Sequence, residues 1–123
     1  MGLILVDSSV WIDHIRSPLA GLVAILAAEQ VVQHPFVTAE VALGSLRNRE
    51  RVVAILASLP LFEPVDAAAF LSFVAEREIF GTGLGFVDGH LLASAAETGA
   101  AVWSRDKRLA LQAERLGLAY LAD

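Results

Sequence analysis

Four acidic residues stand beside breaks in the hydrophobic pattern of this chain: Asp7, Glu40, Asp88 and Asp106. Asp7 closes the apolar run 2–6, and Asp106 follows the shorter run 101–103. An open α/β sheet builds its site where strands end and helices begin. Carboxylates that converge there raise each other's pKa, and a hard cation such as Mg²⁺, which prefers oxygen ligands, is the usual compensation. The pattern therefore predicts a metal-dependent enzyme with an acidic site.

Each of these acids also has an ordinary structural interpretation. Asp7 and Asp106 could cap the helices that follow them. Glu40 and Asp88 lie at the start of helical patterns that open at Thr38 and at Asp88 itself, where a carboxylate interacts favourably with the helix dipole. One acid in such a place is weak evidence for a site, whereas four in these contexts are a much stronger indication.

Short apolar runs alternate with helical patterns along the whole chain. Strands are predicted at 3–6, 31–33, 101–103 and 118–121. Helices are predicted at 8–16, 18–29, from 38, at 50–59, at 66–78, at 88–99 and from 106 to 117, and the glycine-rich stretch 81–85 is predicted to be a loop. Strands separated by helices favour a three-layer α/β/α sandwich with a mostly parallel central sheet.

Length and composition favour a single domain, covering residues 1–123, with a substantial core. Hydrophobic residues make up 56% of the chain, above the ~45–50% of soluble domains. No apolar run approaches the ~20 residues of a membrane span, and the charged start of a signal peptide is missing. Together with zero cysteines, these features favour a cytoplasmic protein. The surplus of apolar residues indicates a protein partner rather than a membrane.

The distribution of charge matters more than the net charge of −5. Removing the four acids above from the total of 14 leaves 10, which nearly balance the 9 basic residues. Six of those bases lie in two stretches, 47–51 and 105–108. Solvated helix ends are one interpretation, and a rim that attracts phosphates is the other. The candidates for phosphate contacts are Arg47, Arg49, Arg105 and Lys107.

Arg47 has an additional reason to be a candidate. It lies seven residues after Glu40, which on a continuous helix would put both side chains on roughly the same face. The three histidines, in contrast, share no metal-ligand spacing. His90 could approach the pocket from the first turn of a helix, but a surface position is the expectation. Trp11 and Trp103 are expected in the core or at an interface.

Four segments, taken in order, resemble the motifs of a known family: Leu5–Ile12, Thr38–Glu40, Phe86–Ser94 and Trp103–Leu109. They are similar to the motifs of PIN-domain ribonucleases, and the VapC-type toxins of bacterial toxin–antitoxin pairs are the nearest match. The resemblance covers essentially the whole chain. It implies a catalytic pocket made of Asp7, Glu40, Asp88 and Asp106. It further implies that Asp7 and Asp88 ligate Mg²⁺ or Mn²⁺, supported by the hydroxyls of Ser9 and Ser104.

The same resemblance implies an activity and partners. The activity is metal-dependent endoribonuclease cleavage that leaves a 5′-phosphate and a 3′-hydroxyl. Unpaired RNA in structured loops is the expected substrate, because its bases can splay out. The expected partners are a second copy of the chain, forming a homodimer, and a VapB-like antitoxin whose C-terminal segment blocks the pocket.

Two alternatives compete with the nuclease hypothesis. A phospho-receiver signalling domain has a similar length and a parallel sheet, but it requires an acidic pair near the end of the first strand. Here Asp7 is followed by Ser8 and Ser9, and the second strand run ends in His34 rather than in a phosphoacceptor Asp. A catalytically silent binding module on the PIN scaffold is the other alternative. The four acids argue against it, and a metal titration would separate the two.

Overall fold

A computed structural model describes residues 2–122 of the protein. Within this range the elements follow in the order β1 (Ile4–Val6), α1 (Ser8–Arg16), α2 (Ala20–Ala27), β2 (Val31–Val32), α3 (Pro35–Leu43), α4 (Arg49–Ser58), α5 (Ala67–Glu76), α6 (Phe86–Thr98), β3 (Ala101–Trp103) and α7 (Lys107–Arg115).

The three strands form a parallel sheet in the order β2–β1–β3. The central strand β1 is buried along its whole length, which is why its sequence is a continuous apolar run rather than an alternating one. The predicted parallel α/β architecture is confirmed. Because the strands are parallel, the carboxyl ends of β1 and β3 lie side by side at one edge of the sheet, and Asp7 follows β1 directly.

The predicted strands agree with the structure to different degrees. The strand at 101–103 is confirmed residue for residue, and those at 3–6 and 31–33 each lose one residue. The predicted strand at 118–121 is wrong in length. Only Ala119 forms a bridge, to Val102. The Leu118 carbonyl and the Tyr120 amide bond the backbone of Val102, whereas the Leu118 amide donates to the Ala113 carbonyl at the end of α7, and Leu121 is exposed to solvent.

Helix α3 begins three residues earlier than predicted. Pro35 occupies its first turn, where a missing N–H costs nothing, and the ring of His34 caps it by accepting a hydrogen bond from the Phe36 amide. The helix ends at Leu43, because Gly44 adopts an extended conformation. Arg47 is therefore not on the helix that carries Glu40, and the prediction that both share one helix face is wrong.

Helix α6 runs through the middle of the molecule. Seven consecutive residues, Gly89–Ala95, are buried, so this helix is covered on all sides. It begins at Phe86, two residues before the predicted start at Asp88, which places Asp88 inside its first turn. Within residues 2–122 no single helix is long and apolar enough to span a membrane. Helices α1 and α2 together reach that length and composition but meet at 111°.

Candidate active site

The carboxylate of Asp7 is the buried centre of the site. It follows β1, is only 2% exposed, and caps α1 by accepting a hydrogen bond from the Ser9 amide. Its Oδ2 also accepts hydrogen bonds from the Ser9 hydroxyl at 2.7 Å and from the Ser104 hydroxyl at 2.8 Å. The capping that the sequence offered as the alternative to a site role is therefore observed, and it leaves the carboxylate in contact with both hydroxyls. The two hydroxyls that hold the Asp7 carboxylate come from different elements, Ser9 from α1 and Ser104 from the segment after β3.

The two hydroxyls extend this arrangement to the segment after β3. The Ser9 hydroxyl accepts a hydrogen bond from the Arg105 amide at 2.9 Å, and the Ser104 hydroxyl accepts one from the Asp106 amide at 3.0 Å. Asp106 in turn caps α7, its Oδ1 accepting from the amides of Arg108 and Leu109. The positions that the sequence assigned to supporting hydroxyls thus tie together the ends of β1 and β3.

A third hydroxyl, which the motifs in the sequence did not single out, links Glu40 to Asp7. The Ser8 hydroxyl lies 3.4 Å from Asp7 Oδ1 and 3.3 Å from Glu40 Oε1. A hydroxyl has one proton to donate, so it can serve only one of these carboxylates at a time. The signal that could have identified Ser8 is its position directly after Asp7, where a side chain at the carboxyl end of β1 must face the site.

Electrostatic interactions link the four acids in pairs. Burial, followed by the charges of Asp7 and Asp106, raises the pKa of Asp88 to about 6, against the opposing effect of a backbone hydrogen bond from Gly85. Partial burial, followed by the charges of Asp7 and Asp88, also raises the pKa of Glu40, with the Ser8 hydrogen bond acting in the opposite direction. The structure therefore brings all four predicted acids together electrostatically.

The donor set of the site suits a hard cation. Within residues 2–122 the one salt bridge joins Arg105 to Asp13 at 3.2 Å, so no basic side chain in this range neutralises the four acids. No group of three or more acidic or histidine side chains in the same range is arranged to hold one ion. Mg²⁺ commonly keeps several waters and uses only one or two carboxylates, so Asp7 and Asp88 would suffice with water completing the shell.

The four predicted phosphate-contacting bases occupy two different places. Arg105 and Lys107 flank Asp106 directly in the chain and are exposed, and the Arg105 guanidinium pairs with Asp13. Arg47 lies in the exposed connection between α3 and α4. Arg49 closes that connection, its Nε donating a hydrogen bond to the carbonyl of Ala42 at 2.6 Å. Arg105 and Lys107 are thus the candidates next to a site acid in the chain, and phosphate contact by all four bases stays a prediction.

His90 is buried, with 4% of its surface exposed, so the prediction of a surface position is wrong. Its ring stacks on Phe70, with the ring centroids 4.0 Å apart and the planes 3° from parallel. Phe36 and Phe86 approach its edges. A methyl group on Gly89 would meet the Phe70 ring at 3.0 Å, so the glycine permits this stacking. Aromatic packing therefore anchors the first turn of α6, which carries Asp88.

Burial has the expected effect on the second histidine of this cluster. His34 is fully buried, and desolvation, followed by the nearby charge of His90, lowers its pKa to about 4. Desolvation likewise lowers the pKa of His90. Both rings are therefore neutral near pH 7 and act as packing groups. Trp11 and Trp103 are buried, as the sequence predicted.

Comparison with known proteins agrees with this geometry. The family model of the PIN domain matches residues 4–114. Ribonuclease VapC32 of Mycobacterium tuberculosis is 44% identical over 118 residues, which cover 95% of each chain. The chain belongs to the PIN-domain family and, within it, to the VapC type.

Solved structures share the fold at lower identity. The DNA-bound VapBC of Salmonella typhimurium superposes with a TM-score of 0.72 at 19% identity, covering 100% of this chain and 98% of that one. FitAcB from Neisseria gonorrhoeae gives a TM-score of 0.62 at 24% identity, covering 91% of this chain and 94% of that one. At such identities the likeness concerns the fold alone, and the predicted PIN-like sandwich is confirmed.

Proposed function

We propose that this chain is a metal-dependent endoribonuclease that acts as the toxin of a toxin–antitoxin pair. The observation that carries the proposal is the buried Asp7 carboxylate, held by Ser9 and Ser104 and electrostatically coupled to Glu40 and Asp88. The 44% identity to a protein named as a ribonuclease supports the same activity.

Each acid has a separate role in this proposal. Asp7 and Asp88 hold Mg²⁺ or Mn²⁺, and their mutual repulsion is the feature that favours a cation between them. When bound, the metal supplies charge neutralisation at a phosphoryl oxygen and lowers the pKa of a coordinated water. Glu40, whose pKa is raised, orients the attacking water and accepts its proton. Asp106 uses Oδ1 for its cap, so its Oδ2 can complete the site.

The substrate proposed for this site is an unpaired RNA segment. The sheet edge is open to solvent at Glu40, Arg105 and Asp106, so a splayed-out strand can reach the carboxylates. Arg105 and Lys107 attract its phosphates, which offsets the negative net charge of the protein. Membership of the PIN family weighs against the receiver alternative, and a silent binding module would neither bind Mn²⁺ at Asp7 nor cleave RNA.

The proposed partners are a second copy of the chain and a VapB-like antitoxin. The similar solved structures are named as VapBC and FitAB assemblies. No residue of α5 is buried, although the helix contains Phe70, Leu71 and Phe73, so this helix offers apolar surface to a partner. An antitoxin arginine would fit the carboxylates, because its fork pairs with them bidentately and competes with the metal.

The deciding experiment is a cleavage assay on a hairpin RNA with an unpaired loop, with Mn²⁺ or with excess EDTA. We expect the wild-type chain to cut the loop only with Mn²⁺, and Asp7→Asn and Asp88→Asn to be inactive. Asp66→Asn is the matched control, because Asp66 caps α5 away from the site and Asn is an equally good cap. Equal cleavage by wild type and Asp7→Asn, or wild-type cleavage in EDTA, would contradict the proposal.

A further inference from the structure

The fully buried side chain of Gln33 lies at the end of β2, between the two helices that present Asp7 and Glu40. Its Oε1 accepts a hydrogen bond from the Trp11 indole at 3.2 Å, and its Nε2 donates one to the Thr38 hydroxyl at 3.1 Å. Because an indole N–H can only donate, the contact with Trp11 determines which end of the amide faces each helix. Gln33 therefore joins α1 to α3 in one orientation.

The backbone of Gln33 is held as firmly as its side chain. Its amide donates to the Pro60 carbonyl at 2.7 Å, and its carbonyl accepts from the Phe62 amide at 2.9 Å. Gln33 is thus held in one position, because moving a buried amide away from its hydrogen-bond partners costs free energy.

The two helices that Gln33 joins carry site residues close to the joint. Trp11 lies one helical turn after Asp7, and its own amide donates to the Asp7 carbonyl. Thr38 lies two residues before Glu40 on α3. Among residues 2–122, the one hydrogen-bonding link between the two acids themselves is Ser8, whose contacts of 3.3 and 3.4 Å are long for a hydroxyl. Such weak contacts cannot set the separation of two mutually repelling carboxylates.

We propose that Gln33 is a positioning residue, which holds α3 against α1 through Thr38 and Trp11 and thereby sets the distance from Glu40 to Asp7. The inference rests on the proposed nuclease function for its kinetic consequences. The contacts that carry it are independent of that function. Gln33 is not one of the residues proposed to contact substrate or metal. Loss of its hydrogen bonds to Trp11 and Thr38 would therefore displace Glu40 without removing any group of the site.

The test compares wild type with Thr38→Val, Thr38→Ser, Gln33→Met and the double variant Gln33→Met/Thr38→Val. Thr38→Val removes the hydroxyl at nearly constant volume, and Thr38→Ser retains it. The matched control is Gln112→Met, since Gln112 is also a buried glutamine but accepts its hydrogen bond from Arg115 of the same helix. The readouts are kcat, KM and the Mn²⁺ concentration that gives half of the maximal rise in melting temperature.

We expect Thr38→Val and Gln33→Met to lower kcat about tenfold with KM within about twofold of wild type, an effect in the range of outer-shell changes at metal sites. The Mn²⁺ midpoint should rise severalfold, because a displaced Glu40 adds less negative potential at the site that Asp7 and Asp88 form. Thr38→Ser should behave as wild type, and Gln112→Met should leave all three readouts unchanged. The double variant should have the same kcat as the less active of the two single variants.

Three results would overturn the inference: unchanged kcat and Mn²⁺ midpoint in Thr38→Val, additive effects in the double variant, or an equal loss in Gln112→Met. If Gln33→Met fails to fold, Thr38→Val and Thr38→Ser decide the question. If the wild-type chain cleaves no RNA, the proposed function fails while the Mn²⁺ midpoint still tests the role of Gln33.

Discussion

The Ser104 hydroxyl donates a hydrogen bond to the Asp7 carboxylate across 2.8 Å, joining residues that are 97 positions apart in the chain. This bond links the ends of β3 and β1 at the point where the sheet opens to solvent. It leaves the Asp7 carboxylate oriented before any ligand arrives, so the site is preorganised in the folded protein.

Removing that hydroxyl should weaken metal binding. We expect Ser104→Ala to raise the Kd for Mn²⁺ by about 10- to 100-fold, the usual effect of deleting a group that orients a metal ligand. Ser104→Thr retains the hydroxyl and should bind Mn²⁺ as wild type does. Isothermal titration of the three proteins checks this, and equal affinities for wild type and Ser104→Ala would contradict it.

The raised pKa of Asp88 should make the metal-free protein less stable as the pH rises. In the unfolded chain this carboxyl ionises near its ordinary pKa of 3.8, whereas in the folded protein it stays protonated up to about pH 6. The folded state therefore binds more protons between these values, and stability from this group is lost as the pH rises through that window. Because Asp88 is half-exposed, solvent screening limits the resulting decrease in the free energy of unfolding to about 1 kcal/mol.

The measurement is urea unfolding in EDTA at pH 4 and pH 7.5 for wild type and Asp88→Asn. The variant lacks the titrating group, so its stability should fall less with pH than that of wild type. The neutral, buried His34 acts in the opposite direction between pH 4 and 6.5, which is why the difference between the two proteins is the informative quantity. Asp66→Asn should retain the wild-type pH dependence.

Divalent metal should stabilise the folded chain through the carboxylates. A ligand that binds only the native state at 100 times its Kd adds about 2.7 kcal/mol, so millimolar Mn²⁺ should raise the melting temperature of wild type. The double variant Asp7→Asn/Asp88→Asn should melt at the same temperature with and without Mn²⁺. An equal rise in both proteins would show that the ion binds elsewhere.

Arg105 should affect RNA binding more than turnover. Its half-exposed side chain pairs with Asp13, and we expect Arg105→Ala to remove one of the proposed phosphate contacts. We expect KM to rise severalfold, kcat to change less than twofold, and the slope of log K against log salt to fall by about 1. Arg16→Ala, at the far end of α1, should leave KM unchanged. A large loss of kcat in Arg105→Ala would instead assign Arg105 to the chemistry.

The amino-acid sequence alone determined the fold class and predicted where a site would lie. Apolar runs and helical patterns alternate, so the strands must run parallel and their carboxyl ends must share one edge. An acid directly after such a strand faces that edge, which is why Asp7 could be predicted as a site residue from local context, and Asp106 lies three residues after the end of β3. The start of α6 could be placed within two residues because the helical pattern follows a glycine-rich loop.

Tertiary packing decided the features that depend on contacts between distant residues. Gly44 ends α3 and removes Arg47 from the helix of Glu40, and aromatic stacking with Phe70 buries His90. Ser8 reaches Glu40, and Gln33 reaches Trp11 and Thr38, only because β1 and β2 lie side by side. The periodicity of apolar residues predicts which face of a segment is buried and which is exposed. The hydrogen-bond partner of a polar side chain depends instead on which elements pack together.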